Sequence, residues 1–456
     1  MSRFRLKISM GGVNFTLDGV GEWEVFSSPT VYPPKEDTEM LCRAVSEIPA
    51  KTGGKALEIG CGSGLVTMVL TSLGWEVTAC DVNPFAVACT RGNLEANGLS
   101  GKVCVMESGI GEEIPISEST DLIVWNLPYL DEGEEHPGLL EKMEEAALSD
   151  IPQGGWGREL LQTLEKNSAT LCDRVLVVLV MRTDPKGNSR VLDWEQKGWS
   201  WRSLKAERYG AEKIEVIGFW RTGSGVGATV LDSCTSTMEE AERLPKDGWQ
   251  RVSSKSQTNG RGRRDSDWIS EEGGVFATWN LDTNLLENLS PGLIQTSIGA
   301  VVSGALDANM KWPNDIVDGH GKKMGGVLLE SSNSDRIRAG VGVNRNSFVK
   351  GDVSASGWEE TIGAIDASEV FLRIDRGISS IFESNGKIAM STQESLAQMS
   401  WKALSRFLSK GVQATLNGEL LRPTGLNTNG ELEAVGNEES VVLRELESIG
   451  WIIPEN

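Results

Sequence analysis

Residues 57–64 read Leu-Glu-Ile-Gly-Cys-Gly-Ser-Gly, a glycine-rich turn between an apolar run and a helical segment. Glycines at such a turn let the backbone bend tightly and approach a ligand, whose polar groups then meet the N-terminus of the helix. Alone, the pattern is weak evidence of a binding site, because glycine-rich turns also form where a helix packs closely on a strand. Whether this turn binds a ligand therefore has to be judged from the segments on either side of it.

Short apolar runs alternate with helical segments around this turn, from about residue 36 to 220. We predict a helix at residues 84–96 and strands at residues 56–59, 77–80, 103–106, 121–125 and 174–181. This alternation is typical of βαβ units. The first half of the chain is therefore predicted to be α/β, with a mostly parallel, doubly wound sheet.

Two polar segments follow predicted strands of this sheet. Asp81 ends the strand after the glycine turn, where a carboxylate can accept both hydroxyl groups of a ribose, although it could instead cap the helix that begins at Pro84. Asn126-Leu-Pro-Tyr129 follows the strand that ends at Trp125. The Asn126 amide oxygen and a backbone carbonyl could accept both N–H bonds of a planar NH₂ group beneath Tyr129. The alternative is an ordinary turn.

These segments resemble those of class I S-adenosylmethionine-dependent methyltransferases with an Asn-Pro-Pro-Tyr-type loop. They are more similar to the HemK-type glutamine methyltransferases of the archaeal and eukaryotic branch. The resemblance covers about residues 20–220 and rests on Val31–Thr38, Leu57–Gly64, Asp81–Pro84, Asn126–Tyr129 and Gly154–Glu159. It implies a Rossmann-like fold, S-adenosylmethionine as cofactor, and N-methylation of a glutamine in a translation termination factor. It also implies a small zinc-binding activator subunit as a partner.

The resemblance further implies which residues form the site. The residues that it assigns to S-adenosylmethionine are Thr38, Glu58, Gly60, Gly62, Asp81, Ser108 and Asn126. Asn126, Pro128 and Tyr129 would present the target nitrogen, so that catalysis consists mostly of positioning and electrostatics.

Two positions depart from the family pattern. Leu127 replaces the first proline of the loop, and Ser108 stands where the family usually has an aspartate that contacts the adenine amino group. Glu107 could substitute for that aspartate. The Ser108 departure leaves open a catalytically inert methyltransferase fold that serves as a binding module. Methylation of adenine N6 in nucleic acid is a further alternative, because adenine N6 is also a planar NH₂ group.

The segment Arg221–Gly227 has the Gly/Ser composition of a linker, and we place a domain boundary there. Beyond it, Gln257–Arg264 combines flexible glycines with arginines, which suits phosphate binding and RNA binding equally well. Lys311-Trp-Pro-Asn-Asp315 adds one group for phosphate and one for a metal ion or ligand. Lys322–Glu330 places lysine at the start of an apolar strand whose glycines permit close approach. Together these segments favour ATP-dependent activation of a carboxylate.

With Ser236-Thr-Met238 and Gly340–Asn344, these segments resemble the biotin–protein ligases over about residues 228–456. The resemblance implies an α+β catalytic domain of the BirA/LplA type and a small SH3-like β-barrel at residues 405–456. It also implies a two-step reaction, in which biotin and ATP with Mg²⁺ give biotinyl-5′-AMP and a lysine of a biotin carboxyl carrier domain then accepts biotin.

The residues that this resemblance assigns to biotin and ATP are Ser236, Thr237, Met238, Gln257, Arg261, Gly262, Arg263 and Lys323. The residues that it assigns to catalysis are Lys323, Arg263, Lys311 and Asp315, with Asp315 as the candidate ligand of Mg²⁺ and no intrinsic metal site. Lys322 is an adjacent candidate for the role of Lys323. Met238 replaces the usual Asn of the family, and Trp268 is expected to order over the ligand.

Composition bears on DNA binding, on membrane insertion and on the state of the cysteines. The formal net charge of −21 argues against specific DNA binding, because phosphate backbones attract clustered Lys and Arg. The apolar run at residues 175–181 is too short to span a bilayer. The seven cysteines show no CxxC pattern and are expected to be reduced and buried in a cytoplasmic protein. We therefore predict a bifunctional enzyme with domains at residues 1–222, 223–404 and 405–456.

Overall fold

The computed structural model describes residues 4–8, 12–130, 149–262, 267–331, 336–436, 439–444 and 449–454 of the 456-residue chain. The chain divides into two compact units. Unit 1 comprises Met1–Gly225 together with Asn385–Ala389, and unit 2 comprises Val226–Ser384 together with Met390–Asn456. The division after Gly225 falls inside the Gly/Ser segment in which the sequence places a domain boundary. The sequence carries no sign that residues 385–389 belong to unit 1.

Unit 1 begins with a small antiparallel sheet that the sequence analysis did not predict. Its strands are β1 (Phe4–Ile8), β2 (Val13–Leu17) and β3 (Gly21–Val25), in the order β1-β2-β3. Phe15, Leu17, Trp23 and Val25 are buried and join the core on one face of the larger sheet described next. Alternate residues of these strands point inward because the side-chain period of a strand is two.

The central sheet of unit 1 contains seven strands among the described residues, in the order β6-β5-β4-β7-β8-β10-β9. β4 to β8 run parallel, and β10 is antiparallel to both β8 and β9. The prediction of a mostly parallel, doubly wound sheet is therefore confirmed. The strands are β4 (Lys55–Ile59), β5 (Glu76–Asp81), β6 (Val103–Glu107), β7 (Thr120–Trp125), β8 (Leu176–Asp184), β9 (Trp199–Tyr209) and β10 (Glu212–Arg221).

Helices join these strands and cover them. They are α1 (Glu36–Ser46), α2 (Leu65–Ser72), α3 (Pro84–Ala96), α4 (Gly155–Lys166) and α5 (Val191–Gln196), with short 3₁₀ turns at Ser100–Lys102 and Thr222–Gly225. α3 has the predicted bounds. It starts sharply because Asn83 Oδ1 accepts a hydrogen bond from Phe85 N at 3.0 Å and Pro84 occupies the first helical position. Asn83, and not Asp81, therefore caps this helix.

The prediction that the seven cysteines are reduced and buried holds for some of them. All seven cysteines are free thiols, and Cys42, Cys61 and Cys80 are buried. Burial raises the pKa of the Cys42 and Cys61 thiols, so both stay protonated. Cys104 is exposed, contrary to expectation, because β6 lies at the edge of the central sheet and presents this residue on its open face.

Unit 2 is built on a second mixed sheet whose main path runs β11-β12-β15-β19-β18-β17-β16, with β20 and β21 attached at β18. Its strands are β11 (Thr229–Leu231), β12 (Gln250–Ser254), β15 (Val275–Asp282), β16 (Asn309–Lys311), β17 (Asp315–Val317), β18 (Lys323–Ser331), β19 (Arg336–Val343), β20 (Phe348–Lys350) and β21 (Val353–Ala355). A separate short hairpin pairs β13 (Gly260–Arg261) with β14 (Asp267–Trp268).

The helices of unit 2 are α6 (Thr237–Glu240), α7 (Leu285–Asn288), α8 (Pro291–Ala305), α9 (Glu359–Ile362), α10 (Ala367–Phe382) and α11 (Gln393–Leu408), with a 3₁₀ turn at Ala241–Arg243. α8 packs on β18 and α10 packs on β15, which encloses one apolar core. This mixture of antiparallel strands and helices agrees with the predicted α+β class. Among the helices that the structure describes, none has the length and apolarity needed to cross a membrane.

A C-terminal sheet completes unit 2. Within the described part of the chain its order is β25-β24-β23-β22-β26. The strands are β22 (Gln413–Leu416), β23 (Glu419–Leu426), β24 (Leu432–Gly436), β25 (Glu439–Leu443) and β26 (Ile449–Ile452). All neighbouring pairs are antiparallel, which agrees with the predicted small SH3-like β domain. Its apolar face forms one core with Trp312 and with Leu404 of α11.

One buried carboxylate ties the helical layer of unit 2 to its sheet. Asp375 of α10 is 1% exposed, and its Oδ1 accepts hydrogen bonds from Trp249 Nε1 at 2.9 Å and Trp279 Nε1 at 2.8 Å. Its Oδ2 pairs with Nε of the buried Arg251 at 2.9 Å. Every oxygen of this carboxylate is thus occupied, as burial of a charge requires.

We expect Asp375→Ala to lower the free energy of unfolding of unit 2 by about 3–5 kcal/mol, because Arg251 would remain buried without its partner. Urea denaturation followed by tryptophan fluorescence measures this change. Asp232→Ala is the control, since it removes an ion pair to Lys255 (2.7 Å) at a fully exposed position, where solvent screens the charges. Equal shifts for the two variants would contradict the role assigned to Asp375.

Candidate active sites

A cavity of about 550 Å³ opens in unit 1 at the carboxyl ends of β4, β5, β6 and β7. In sheets of this kind, ligands bind at the carboxyl ends of the strands, where the strand order reverses. The predicted site residues that line this cavity are Gly60, Gly62, Asp81, Ser108, Asn126, Pro128 and Tyr129. The structure therefore brings these separate segments together around one cavity, and the roles assigned to their residues stay predictions.

The glycine turn and Asp81 form one contact surface. Gly60 and Gly62 have φ of 67° and 53°, which favours glycine, and a Cβ added at Gly60 would lie 2.9 Å from Trp125 Nε1. The Gly62 amide donates to Asp81 Oδ2 at 3.0 Å, and the Asn83 amide donates to Asp81 Oδ1 at 2.9 Å. Burial raises the pKa of Asp81 above its ordinary value, and the hydrogen bonds from these backbone amides oppose this rise only in part. Asp81 is thus fixed beside the cavity as a hydrogen-bond acceptor.

Ser108 lies at the cavity wall and is 5% exposed. Its Oγ donates to the Glu113 carbonyl at 2.7 Å, and its backbone amide donates to the Asp81 carbonyl at 3.1 Å. The hydroxyl hydrogen is therefore committed, while the lone pairs of the oxygen remain available to an N–H donor. Glu107 is exposed and is not among the described residues that line the cavity, so Ser108 is the better candidate to replace the missing aspartate.

Thr38 and Glu58 are not among the described residues that line this cavity, so their assigned cofactor contacts stay predictions. Thr38 donates through its backbone amide to Asp37 Oδ1 at 2.6 Å. The Glu58 carboxylate is 4% exposed and accepts a hydrogen bond from Thr67 Oγ1. Burial raises the pKa of Glu58 to about 8, so this carboxyl group is protonated at neutral pH.

Asp37 is the residue that sequence reasoning missed. It is 4% exposed, and its Oδ2 accepts hydrogen bonds from Asn126 Nδ2 at 3.1 Å, Tyr129 OH at 3.2 Å and Tyr32 OH at 3.5 Å. Burial and the Asp37 charge raise the pKa of both tyrosines, so both phenols remain donors. Asp37 belongs to the segment Val31–Thr38, which carried the resemblance, but nothing in that segment pointed to a contact with the distant Asn126.

The contact with Asp37 fixes the orientation of the Asn126 amide. Because Nδ2 donates to a carboxylate, Oδ1 must point the other way, and this oxygen is buried without a hydrogen-bond partner among the described residues. A buried acceptor without a partner costs free energy that a bound donor can recover. The site therefore offers a fixed acceptor to an N–H group at the cavity wall.

Unit 2 has its own cavity, of about 220 Å³. Its lining residues include Ser236, Thr237, Met238, Gln257, Arg261, Gly262, Trp268, Asp315, Lys323, Gly326, Gly340 and Gly342. Glycines are needed at its floor, because a Cβ added at Gly342 would lie 2.8 Å from the Trp268 ring. Lys311 is outside this lining, and Arg263 lies outside the described residues.

Charged groups concentrate on one side of this cavity. Lys323 is the first residue of β18, and its Nζ lies 2.7 Å from Asp315 Oδ1 and 5.6 Å from the centroid of the Trp268 ring. Lys311 Nζ lies 3.4 Å from Asp315 Oδ2, because the two residues face each other across the β16–β17 hairpin. One carboxylate thus holds two ammonium groups, which leaves a net positive charge beside the cavity for an anion.

Neutral polar groups occupy other parts of the lining. Gln257 Oε1 accepts from Thr237 N at 2.7 Å and from Thr237 Oγ1 at 3.1 Å, and Ser236 Oγ accepts from Met238 N at 3.3 Å. Met238 Sδ accepts from Thr278 Oγ1 at 3.4 Å. These bonds hold the polar residues in place, while Met238 contributes an apolar surface where the family usually has Asn.

Comparison with known proteins agrees with this division of the chain. The family model of the methyltransferase small domain matches residues 22–170, and that of the biotin/lipoate A/B protein ligase family matches residues 230–344. The chain thus joins a domain similar to methyltransferases to a domain similar to the biotin/lipoate ligases. After these similarities, unit 1 is hereafter called the methyltransferase unit, and unit 2 is called the ligase unit.

Individual relatives match one unit each. A release factor glutamine methyltransferase of Shewanella oneidensis is 35% identical over 144 residues, which are 30% of this chain and 50% of that protein. A ribosomal RNA small subunit methyltransferase C of Alcanivorax borkumensis is 27% identical over 141 residues, which are 30% of this chain and 42% of that protein. The chain thus spans about half the length of these curated relatives.

Among solved structures, a biotin protein ligase from Aquifex aeolicus in complex with biotin and ATP aligns with 24% identity and a TM-score of 0.37. The alignment covers 50% of this chain and 98% of that chain.

Within the described residues of both units, no group of three or more His, Cys, Asp or Glu side chains could hold a metal ion.

The raised pKa of Glu58 predicts a pH dependence in the methyltransferase unit. Because the folded-state pKa of about 8 lies above the ordinary value of 4.5, folding favours the protonated form, and its contribution to stability is lost as pH rises from 4.5 to 8. Glu58→Gln keeps a group that accepts from Thr67 but cannot ionise. We expect the melting temperature of this variant to exceed that of the unmodified chain by a margin that grows between pH 5 and pH 8. Thermal unfolding at several pH values measures this margin, and a constant difference would contradict the assignment.

Proposed function

We propose that the chain is a bifunctional enzyme. Its methyltransferase unit would transfer a methyl group from S-adenosylmethionine to the side-chain amide nitrogen of a glutamine in a translation termination factor. Its ligase unit would form biotinyl-5′-AMP and pyrophosphate from biotin and ATP. A lysine of a biotin carboxyl carrier domain would then attack the mixed anhydride, take biotin and release AMP. We place both activities in the cytoplasm.

The methyl-transfer proposal rests above all on the orientation of the Asn126 amide. Its Oδ1 is buried without a partner and is held in that orientation by Asp37, so it suits a planar NH₂ group that donates an N–H bond. Tyr129 lines the same cavity, where its ring can cover the flat face of the amide. Nothing in this arrangement needs a general base, because the methylated nitrogen can lose its proton late. Positioning would supply most of the rate enhancement.

The cavity also fits the cofactor. S-adenosylmethionine, when bound, supplies an electrophilic methyl group on a sulfonium. The fixed Asp81 carboxylate would accept the ribose hydroxyl groups, and Ser108 would accept a hydrogen bond from the adenine amino group. Because Gly60 and Gly62 line the cavity and carry no side chain, the rest of the molecule can lie close to their backbone. Calorimetry with S-adenosylmethionine tests this fit, and no binding would favour the inert binding module instead.

The relative that modifies ribosomal RNA favours nucleic acid as the second candidate substrate, because adenine N6 presents a planar NH₂ group to the same acceptor. The net charge of −21 weighs against it. Transfer of a radiolabelled methyl group to purified termination factor, compared with DNA and RNA, separates the two. The assay is run with and without the small zinc-binding activator subunit that belongs to the proposal.

Asp37→Ala should lower the rate of methyl transfer by roughly 10- to 100-fold, because the Asn126 amide loses the acceptor that sets its orientation. The affinity for S-adenosylmethionine should stay within about twofold, since Asp81 and Ser108 are unchanged. Glu36→Ala is the matched control, because Glu36 is the adjacent acidic residue and is exposed. Full activity of Asp37→Ala would contradict the assigned orientation of Asn126.

The ligase proposal rests on the group formed by Lys323, Asp315 and Lys311. The cluster carries a net positive charge beside a cavity in which Arg261, the other charged residue of the described lining, is already paired with Glu239 and Glu330. The Lys323 ammonium group would bridge the biotin carboxylate and the α-phosphate of ATP and would stabilise the charge that develops as they react. Because both oxygens of Asp315 already face lysines, we assign it first to holding them. Its contact with the Mg²⁺ that accompanies ATP is a further part of the proposal.

Lys323→Ala should reduce the formation of biotinyl-adenylate by roughly 100-fold or more, because one charge stabiliser is removed. Release of pyrophosphate in the presence of biotin and ATP measures this step. Lys322→Ala is the matched control, since Lys322 is exposed, is not among the described lining residues, and adjoins Lys323 in the chain. A loss confined to Lys322→Ala would move the catalytic role to that residue.

A further inference from the structure

The three charged residues Lys311, Asp315 and Lys323 belong to two consecutive hairpins of the ligase unit. Lys311 and Asp315 flank the tip of the β16–β17 hairpin, and Lys323 begins the return strand of the β17–β18 hairpin. Their mutual distances therefore depend on how these two tips are held. Hairpin tips are ordinarily the most mobile parts of a sheet, so something must restrain them.

The tip of the β16–β17 hairpin is held by the C-terminal sheet. Trp312 is 3% exposed, and its Nε1 donates to the Gly430 carbonyl at 2.8 Å. Gly430 lies in the turn between β23 and β24, and its φ is 76°. A Cβ added there would lie 2.6 Å from Leu293 N of α8, so this turn is closely packed on the unit. Ser290 Oγ also donates to the Asn429 carbonyl of the same turn, at 2.6 Å.

The tip of the β17–β18 hairpin meets the last described residues of the chain. Asp318 Oδ1 accepts from His320 N at 2.8 Å and from Lys322 N at 2.9 Å, which folds the turn tightly. Gly321 lies at this turn, and a Cβ added to it would lie 1.9 Å from Ile453 Cδ1. Ile453 thus packs directly against the turn backbone. It also packs against a small buried cluster formed by Val317, Phe407 and Val412.

We propose that the C-terminal sheet and the residues that directly follow it position the charged group of the ligase site, with Trp312 and Ile453 as the positioning residues. This proposal rests on the proposed ligase function. The polar groups of Ser236, Thr237 and Gln257 belong to other segments, at the start of α6 and after β12, and do not depend on either tip. Loosening the tips should therefore affect the chemistry of ATP far more than the binding of biotin, because Lys323 is the one residue of the tips that is assigned a contact with biotin.

The test compares two adjacent isoleucines in the full chain. Ile453→Ala removes the contact with Gly321, and Ile452→Ala is the matched control, because Ile452 is 50% exposed. We expect Ile453→Ala to lower the rate of pyrophosphate release from ATP and biotin by roughly 10- to 100-fold, with biotin affinity within about twofold by calorimetry. Ile453→Val should restore most of the rate. Trp312→Phe, which keeps a ring but removes the N–H donor, should act in the same direction.

The outcomes separate this inference from the ligase function itself. Absence of biotin-dependent pyrophosphate release in the unmodified chain would remove the proposed function. An active chain in which Ile453→Ala behaves like Ile452→Ala would overturn the positioning role alone. A parallel loss of biotin affinity and rate in both Ile453→Ala and Trp312→Phe would also overturn it, because that pattern reports general destabilisation.

Discussion

The carboxylate of Asp37 accepts hydrogen bonds from an amide and two phenols, and the carboxylate of Asp315 holds two ammonium groups. Each carboxylate is shielded, and at least one of its donors comes from another segment of the chain: Asn126 and Tyr129 for Asp37, and Lys323 for Asp315. A buried or half-buried charge is tolerated only when its partners are in place, so these residues require the surrounding segments to adopt one arrangement. The geometry of both sites follows from that requirement.

The two units meet this requirement with different folds. In the methyltransferase unit, parallel strands deliver the glycine turn, Asp81 and Asn126 to one edge of a sheet, because parallel strands end on the same side. In the ligase unit, the charged residues lie on antiparallel hairpins, which do not share such an edge. Their relative placement then depends on packing at the hairpin tips. This difference explains why the proposed support by the C-terminal sheet concerns the ligase unit, whereas Asn126 lies at a strand end and is oriented by Asp37.

Much of the methyltransferase fold could be predicted from the sequence, because its signals are local. α3 has the predicted bounds, since a capping Asn83 and Pro84 mark its start, and the five predicted strands all occur within a few residues of their expected ends. The charged segments of the ligase unit were also recognisable. The amino-terminal sheet was missed because its short strands alternate in burial without a helix between them, and Cys104 was misplaced because an edge position cannot be read from an apolar run.

The sequence by itself indicated a domain boundary in the Gly/Ser segment Arg221–Gly227, the fold class on each side of it and the candidate residues of the two sites. Only the tertiary structure decided how those groups are oriented. The bond from Asn126 to Asp37 joins residues 89 positions apart, and the contacts of Trp312 with Gly430 and of Gly321 with Ile453 also cross long stretches of chain. Periodicity and capping act over a few residues, whereas such contacts depend on which surfaces pack together. That packing turns an asparagine into a fixed acceptor and places two lysines on one carboxylate.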